Sequence, residues 1–318
     1  FDQNNNAGKA LSAKLIIQKD SMSNTLADYV VSKYTGVQGE NGLYHHDSTL
    51  TNGAGDNSYR YAGANPNNYV CFGSDDATCP TENLYRIIGL IDGKIKLISA
   101  DGATTDMLGT NGGYYNTYSG TGWNSTYYKG SGDLTKIGVY YRNKTGKNAW
   151  SESLLNTVNL NTNFITYLDG KNAKWQNMID DTTWYVGGMT ETNGIESNAR
   201  TTYDYEVGIN KDANTTVTSK IGLMYVSEYY YGASPDYWTL PGYNSSRNDY
   251  SKAINDNWLY IGLYDWPLSR RSGVSDFAFV VGDDGSVDSD IANIDGGGAV
   301  RPSFNLTSSV KYESGDGT

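Results

Sequence analysis

Three consecutive side chains, His45, His46 and Asp47, are the first candidates for chemistry, and they include both histidines of the chain. A histidine beside a carboxylate can transfer protons or bind zinc. In an extended segment, however, successive side chains point to opposite faces, so the two histidines cannot easily bind one metal ion. No nucleophile-elbow pattern accompanies them. We therefore interpret the segment as a solvent-exposed loop.

Paired carboxylates are the second possibility, since glycosidases use two of them at a defined separation. With 35 acidic residues in the chain, some pair of carboxylates will resemble a catalytic pair by chance. None of these residues lies in a known catalytic motif. The available glutamates in the second half are Glu191, Glu196, Glu206 and Glu228. The sequence predicts no catalytic residue, and a secreted carbohydrate-active enzyme remains an alternative.

Carboxylates at alternating positions near residue 285 could bind calcium, which prefers oxygen ligands. The spacing differs from an EF-hand because no bidentate glutamate follows, and Asp-Gly already predicts a hairpin turn here. Calcium is the one candidate cofactor. Its candidate ligands are Asp283, Asp284, Asp288 and Asp290.

Aromatic residues in two long loops are the preferred candidates for ligand binding. Tyrosine and tryptophan can lie against the apolar face of a sugar ring or anchor a protein interface, although they can also pack against their own loops. The predicted binding surface consists of Trp123, Tyr127, Tyr128, Tyr230, Tyr237 and Trp238. Tryptophans in periodic or motif segments are expected in the core instead: Trp150, Trp175, Trp184, Trp258 and Trp266.

Charge and cysteine content restrict partners and compartment. A net charge of −11 with a pI near 4.6 leaves no basic stripe for nucleic acid and disfavours anionic membranes. No apolar run approaches the roughly 20 residues of a membrane span. Cys71 and Cys79 are separated by glycine, serine and aspartate, which favours a small disulfide-closed loop and an oxidising, extracellular location. The expected partner is a glycan or a protein on a host or microbial surface.

Hydrophobic spacing predicts the elements that must position these residues. The clearest is a hairpin over 84–98 that turns at Asp92-Gly93, with the lysines of its second strand outside. Helical spacing covers 8–34 and 150–168, and 174–181 adds a short helical turn. Further strands are expected at 184–186, 220–226, 258–264, 277–287 and 299–306. We expect an N-terminal helical lead-in over 1–36 and an α+β domain over 37–318, with two helices inserted among twisted antiparallel strands.

The order of several motifs resembles a known family. These motifs are Trp150-Ser151-Glu152-Ser153-Leu154-Leu155-Asn156, Ser219-Lys220-Ile221-Gly222-Leu223-Met224-Tyr225, Trp266-Pro267-Leu268-Ser269-Arg270, Ala278-Phe279-Val280-Val281-Gly282-Asp283-Asp284-Gly285 and Ala299-Val300-Arg301-Pro302-Ser303-Phe304-Asn305-Leu306. Together they resemble surface modules of exported proteins from Gram-positive, largely gut-associated bacteria. Those modules end in a Val-Arg-Pro strand, are similar to the C-type-lectin-like superfamily, and occur on pilin-like and adhesin proteins.

This resemblance implies a C-type-lectin-like domain whose first and last strands pair and whose long loops bind ligands. Adhesion at the cell surface or on a pilus is the implied use. The formylglycine-generating relatives need a cysteine pair in the C-terminal half, and this chain has no cysteine after Cys79. Ser269-Arg270-Arg271-Ser272-Gly273 also departs from the usual Leu-Arg-Ser-Pro-Gly turn. A structural pilus subunit that polymerises through the N-terminal helix is the main alternative.

Overall fold

A six-stranded antiparallel sheet organises the fold. The computed structural model describes residues 25–120, 126–242, 250–312, 314, 315, 317 and 318. The strands of the sheet are β1 (Leu43–His45), β2 (Tyr59–Tyr61), β3 (Tyr69–Cys71), β4 (Leu84–Ile91), β5 (Lys94–Ser99) and a last strand, Ser303–Asn305. Their order is β1-β2-β4-β5-last strand, and β3 pairs with β4 beside β2.

The hairpin β4–β5 confirms the turn chemistry read from the sequence. Asp92 and Gly93 both have positive φ, at 50° and 73°, as a type I′ turn requires. The predicted orientation of the lysines is wrong at one position, because Lys96 is 3% exposed. Its ammonium group donates to Glu228 at 2.6 Å, so a buried carboxylate compensates for its burial. Lys94 lies nearer the surface.

Three smaller sheets, each of two antiparallel strands, accompany the six-stranded sheet. They are β6–β7 (Tyr114–Thr117 with Gly138–Tyr140), β8–β9 (Thr182–Tyr185 with Thr216–Ser219) and β10–β11 (Phe277–Val281 with Val287–Ile291); the last strand of the sheet, Ser303–Asn305, is β12. The prediction for 277–287 is confirmed, and β12 confirms a strand within 299–306. The fold is therefore α+β.

The helices are short. They are α1 (Leu26–Ser32), α2 (Thr105–Leu108), a π-helical segment (Leu155–Phe164) that continues into α3 (Ile165–Lys171), α4 (Lys174–Asn177), α5 (Glu191–Gly194), α6 (Ala199–Glu206) and α7 (Val226–Gly232). The structure confirms that helical segments lie within 150–168 and within 174–181, although their bounds differ from those predicted. Of the predicted helix 8–34, residues 8–24 lie outside the described residues, and α1 lies within the rest. No described helix has the length and apolar character to cross a membrane.

Two predicted strands are wrong. In place of a strand over 220–226, β9 ends at Ser219 and α7 begins at Val226. The Glu228 carboxylate accepts from the backbone N–H of Tyr225 at 2.8 Å and so starts the helix. The segment 258–264 is a series of turns rather than a strand.

The core holds the aromatic residues that the periodic segments predicted. All five tryptophans expected inside are at most 4% exposed. On one side of this core, α1 buries Leu26 and Val30. The backbone N–H of Leu26 donates to the carbonyl of Val310 at 2.9 Å, and the Tyr29 ring stacks on Tyr312 at 3.9 Å. The first described helix is thus joined directly to the C-terminal residues.

Candidate functional site

The histidine pair divides between surface and core. The Nδ1 atom of His45 lies 3.4 Å from Asp47, and its ring stacks on Tyr59 at 4.3 Å. His46 is 0% exposed, so the interpretation of both histidines as solvent-exposed is wrong. Its Nδ1 accepts from the backbone N–H of Ala54 at 3.0 Å, and Nε2 has no partner among the described residues. The side chains face opposite ways, as an extended segment requires.

The four glutamates divide between surface and core. Glu191 forms an ion pair with Arg271, and Glu196 is exposed. Glu206 and Glu228 are buried, at 3% and 4% exposure. Without substrate access, they act as structural groups.

Both buried glutamates hold the start of α7. Glu206 accepts from the backbone N–H groups of Val226 and Ser227, each at 2.9 Å, and from the Ser269 hydroxyl. Burial raises the pKa of Glu206, although these donors oppose the shift. The carboxylates are therefore committed to internal hydrogen bonds rather than directed at a ligand.

The four aspartates proposed as calcium ligands do not converge. Asp284 accepts from Ser286 within its turn at 3.0 Å, and Asp290 accepts from the Tyr264 hydroxyl at 3.0 Å. Asp288 accepts from the backbone of the following residue, and the carbonyl of Asp283 accepts from Tyr260. Within the part of the chain that the structure describes, no three His, Cys, Asp or Glu side chains could hold a metal ion.

Two of the six predicted binding aromatics are core residues. Tyr230 and Trp238 are both 0% exposed, so their predicted place on a displayed surface is wrong. The Tyr230 hydroxyl donates to the carbonyl of Gly194 at 2.6 Å, and the Trp238 indole N–H donates to that of Ala233 at 2.8 Å. Because Tyr230 belongs to α7, packing against neighbouring elements replaces display on a loop.

The remaining predicted aromatics are divided between two places. Tyr127 is 52% exposed, whereas the hydroxyl of Tyr128 donates to Asp101 and to the Gly132 carbonyl. The Tyr237 hydroxyl donates to Asp256 at 3.2 Å. Trp123 lies outside the described residues. The predicted aromatic surface therefore loses Tyr230 and Trp238 to the core.

A cleft beside β1 offers a different binding site, which we call the asparagine cleft. Its volume is about 400 Å³. Every lining residue is uncharged: Gly39, Asn41, Gly42, Tyr44, Ala62, Gly63, Ala64, Asn65, Pro66 and Asn67. A second cavity, between α1 and the C-terminal residues, holds about 20 Å³, which is enough for a water molecule only.

The first wall of the asparagine cleft is the turn that leads into β1. Gly39, Asn41 and Gly42 have φ values of 82°, 60° and 68°. A Cβ atom on Gly39 would lie 2.5 Å from the Tyr44 hydroxyl oxygen, and one on Gly42 would lie 2.7 Å from Cβ of Pro66. Glycine at these two positions therefore lets the walls approach each other.

The second wall is the loop 62–67 after β2. Ala62 donates its backbone N–H to the carbonyl of Gly42 at 2.9 Å, and Gly63 is hydrogen-bonded to the backbones of Gly232 and Trp258. The buried guanidinium of Arg86 donates to the Pro66 carbonyl at 3.1 Å. Backbone and side-chain anchors thus hold both walls before any ligand binds.

Arg86 is fixed in turn by its own surroundings. It donates to Asn68 Oδ1 at 2.8 Å, and its guanidinium lies 4.3 Å from the Tyr69 ring and 4.5 Å from the Trp258 ring. Burial lowers the pKa of Arg86 to about 10, so the group stays charged at neutral pH. We infer that Arg86 positions the loop and does not contact a ligand.

The polar groups of the asparagine cleft are available for binding. The side chains of Asn65 and Asn67 are exposed, and the structure gives them no hydrogen bond within the described residues. Asn41 donates its amide to the Lys33 carbonyl at 3.0 Å and keeps its amide oxygen. Tyr44 contributes a half-buried ring that meets Trp238 edge to face at 5.4 Å.

Comparison with known proteins gives no relative. No family model, curated protein or solved structure matches this chain. The resemblance to C-type-lectin-like modules therefore remains a prediction made from sequence motifs.

Sequence reasoning missed the asparagine cleft, although one signal was present. Residues 37–70 are rich in glycine and asparagine, which indicates turns. Turn composition does not show that two turns separated by about 20 residues face each other. That arrangement depends on the pairing of β1 with β2 and on the anchoring of Pro66 by Arg86.

Proposed function

We propose that this chain is an exported, non-catalytic adhesion or binding module of a cell surface or pilus, and that it recognises its ligand in the asparagine cleft. The observation that carries the proposal is the cleft itself. It combines amide groups of Asn65 and Asn67, which have no hydrogen-bond partner among the described residues, with walls fixed by Arg86 and the β1–β2 pairing. Preformed sites of this kind lose little conformational entropy on binding.

The chemistry of the cleft favours binding over catalysis. General acid–base catalysis needs a titratable group whose pKa lies near the working pH. Tyr44 is the one ionisable side chain among the lining residues. Burial, aided by the charge of Asp236, raises its pKa further from neutrality. The remaining lining groups can donate and accept hydrogen bonds but do not transfer protons at neutral pH.

Two further features support an exported module. The predicted disulfide between Cys71 and Cys79 is present, with Cα atoms 5.7 Å apart. Such bonds persist in oxidising compartments. The motif order that resembles exported C-type-lectin-like modules favours the same location and points to a glycan or protein ligand.

Binding to glycan arrays, extracellular-matrix proteins and intact cells tests the proposal. The wild-type chain should bind at least one of these surfaces saturably, and Asn65→Ala/Asn67→Ala should bind about tenfold more weakly, since two amide hydrogen bonds are lost. Asn210→Ala removes an exposed asparagine outside the cleft and should bind like wild type. Equal affinity of all three chains would contradict the proposal.

The same experiments separate the alternatives. Filament assembly without ligand binding would identify a structural pilus subunit. Turnover of a glycan, abolished by a single Glu→Gln substitution, would identify a carbohydrate-active enzyme. Either result would replace the binding-module proposal.

A further inference from the structure

The residues that line the asparagine cleft also restrict its ligand. We propose that the ligand is an uncharged saccharide, bound mainly through its hydroxyl groups. This inference rests on the proposed function and adds the chemical class of the ligand.

Charge is the first argument. None of the ten lining residues carries a charge at neutral pH, so an anionic group in the cleft would lose hydration without gaining a counter-charge, and the negative charge of Asp236 near Tyr44 would repel it. The chain as a whole has a net charge of −11, which repels anions such as sialylated or sulfated sugars at long range. A neutral ligand avoids both costs.

Hydrogen-bonding capacity is the second argument. Each carboxamide has an acceptor oxygen and two donor hydrogens, and a sugar hydroxyl both donates and accepts. Asn65 and Asn67 offer whole carboxamides, Asn41 offers its oxygen, and Tyr44 offers a hydroxyl that makes no hydrogen bond within the described residues. Several such groups in one cleft match a ligand with several hydroxyls.

Size and surface chemistry are the third argument. A volume of about 400 Å³ falls within the range of small-ligand sites, roughly 300–1,000 Å³. Ala64 and the Tyr44 ring add only a small apolar area to a lining that is mostly polar, which suits a ligand rich in hydroxyl groups. A protein partner would instead need aromatic or arginine anchors over a broader area, and the lining consists mainly of glycine, alanine and asparagine.

Calorimetric titration of the intact chain with two matched sugar panels tests this inference. The first panel holds neutral hexose and N-acetylhexosamine oligosaccharides, and the second holds their sialylated and sulfated counterparts. We expect the chain to bind a member of the neutral panel with an affinity that changes little between low and physiological salt. The sialyl and sulfate groups of the second panel should not increase the affinity. Asn65→Ala/Asn67→Ala should raise the Kd about tenfold, and Tyr44→Phe should raise it severalfold.

The possible failures are distinguishable. Binding to cells or matrix proteins that depends on Asn65 and Asn67 but is not inhibited by any neutral sugar would overturn the saccharide inference and leave the proposed function standing. Preference for the acidic panel, with affinity falling as salt rises, would also overturn it. If the wild-type chain bound no sugar, matrix protein or cell surface, both the saccharide inference and the proposed function would be overturned. Matching melting temperatures of variants and wild type would show that the exposed substitutions leave the fold intact.

Discussion

At the scale of single residues, burial decides the role of each ionisable group. His45 and His46 are adjacent in sequence, yet only His46 is enclosed, between the Tyr231 and Trp238 rings. Burial, together with the nearby positive charge of Arg60, holds the pKa of His46 well below its usual 6.5. The histidine that looked available for chemistry is therefore a neutral core residue.

The buried His46 predicts that the protein loses stability in mild acid. The unfolded chain takes up a proton on His46 near pH 6.5, whereas the folded chain does not. The contribution of His46 to the free energy of unfolding is therefore complete above pH 6.5. Below pH 6.5 this free energy falls by up to about 1.4 kcal/mol per pH unit. His46→Asn keeps an acceptor for the Ala54 N–H and should flatten this dependence between about pH 6.5 and 5. Urea unfolding at a series of pH values measures it.

His45→Asn is the matched control, because it removes the other histidine of the chain. This variant should retain the acid-dependent loss of stability. If His46→Asn and wild type showed the same slope over that interval, the buried ring would not be its source.

At the scale of elements, one buried ion pair joins the central sheet to α7. Lys96 on β5 and Glu228 on α7 lie 2.6 Å apart and are both almost fully enclosed. The Lys96 ammonium also lies 4.7 Å from the Tyr225 ring and 4.9 Å from the Trp184 ring. Two positions earlier on the same strand, Lys94 pairs with Asp180 while 40% exposed. Each lysine therefore forms an ion pair with one carboxylate, and the two ion pairs differ in burial.

Replacing these lysines should have very different effects. Lys96→Met leaves the Glu228 carboxylate buried without its cation, so the free energy of unfolding should fall by about 3–5 kcal/mol. Lys94→Met removes a partly exposed pair and should cost less than about 1 kcal/mol. Chemical denaturation measures both.

A double variant separates the charge effect from the packing effect. Lys96→Met/Glu228→Gln should recover part of the loss, because Glu228 is then no longer a buried carboxylate without its cation. Similar losses for Lys94→Met and Lys96→Met would refute the structural role given to the ion pair.

At the scale of the whole molecule, the outer edge of the sheet at β1 is covered by the Gln38 side chain and the Gly39 backbone. The Gln38 carboxamide accepts from the backbone N–H of His45 and donates to its carbonyl, each at 2.9 Å. The carbonyl of Leu43 accepts from the backbone of Gly39. A sheet edge left with free N–H and C=O groups is a template for pairing with another chain.

Removal of this cover should promote self-association. Gln38→Ala exposes the backbone groups of His45, and we expect concentration-dependent dimers or larger species in analytical ultracentrifugation. Gln176→Ala, on α4, also replaces a glutamine without changing the net charge, and this variant should keep the association state of the wild type. Wild-type behaviour of both variants would show that the edge is protected by other means.

The sequence by itself determined the features that depend on neighbouring residues. Asp92-Gly93 specified its turn because both residues tolerate positive φ. Cys71 and Cys79 are close in the chain, and their pairing followed from that spacing. Periodic and motif segments also identified five of the core tryptophans, whereas Trp238, expected on a loop surface, lies in the core as well.

Only the tertiary structure decided which polar and aromatic side chains are exposed. The buried Tyr230 hydroxyl donates a hydrogen bond to Gly194, 36 residues away in sequence. The buried Lys96 ammonium donates to Glu228, 132 residues away. The asparagine cleft likewise exists because strand pairing brings two turns together and Arg86 fixes one of them. Exposure and convergence are set by contacts between distant segments, and local composition carries no record of those contacts.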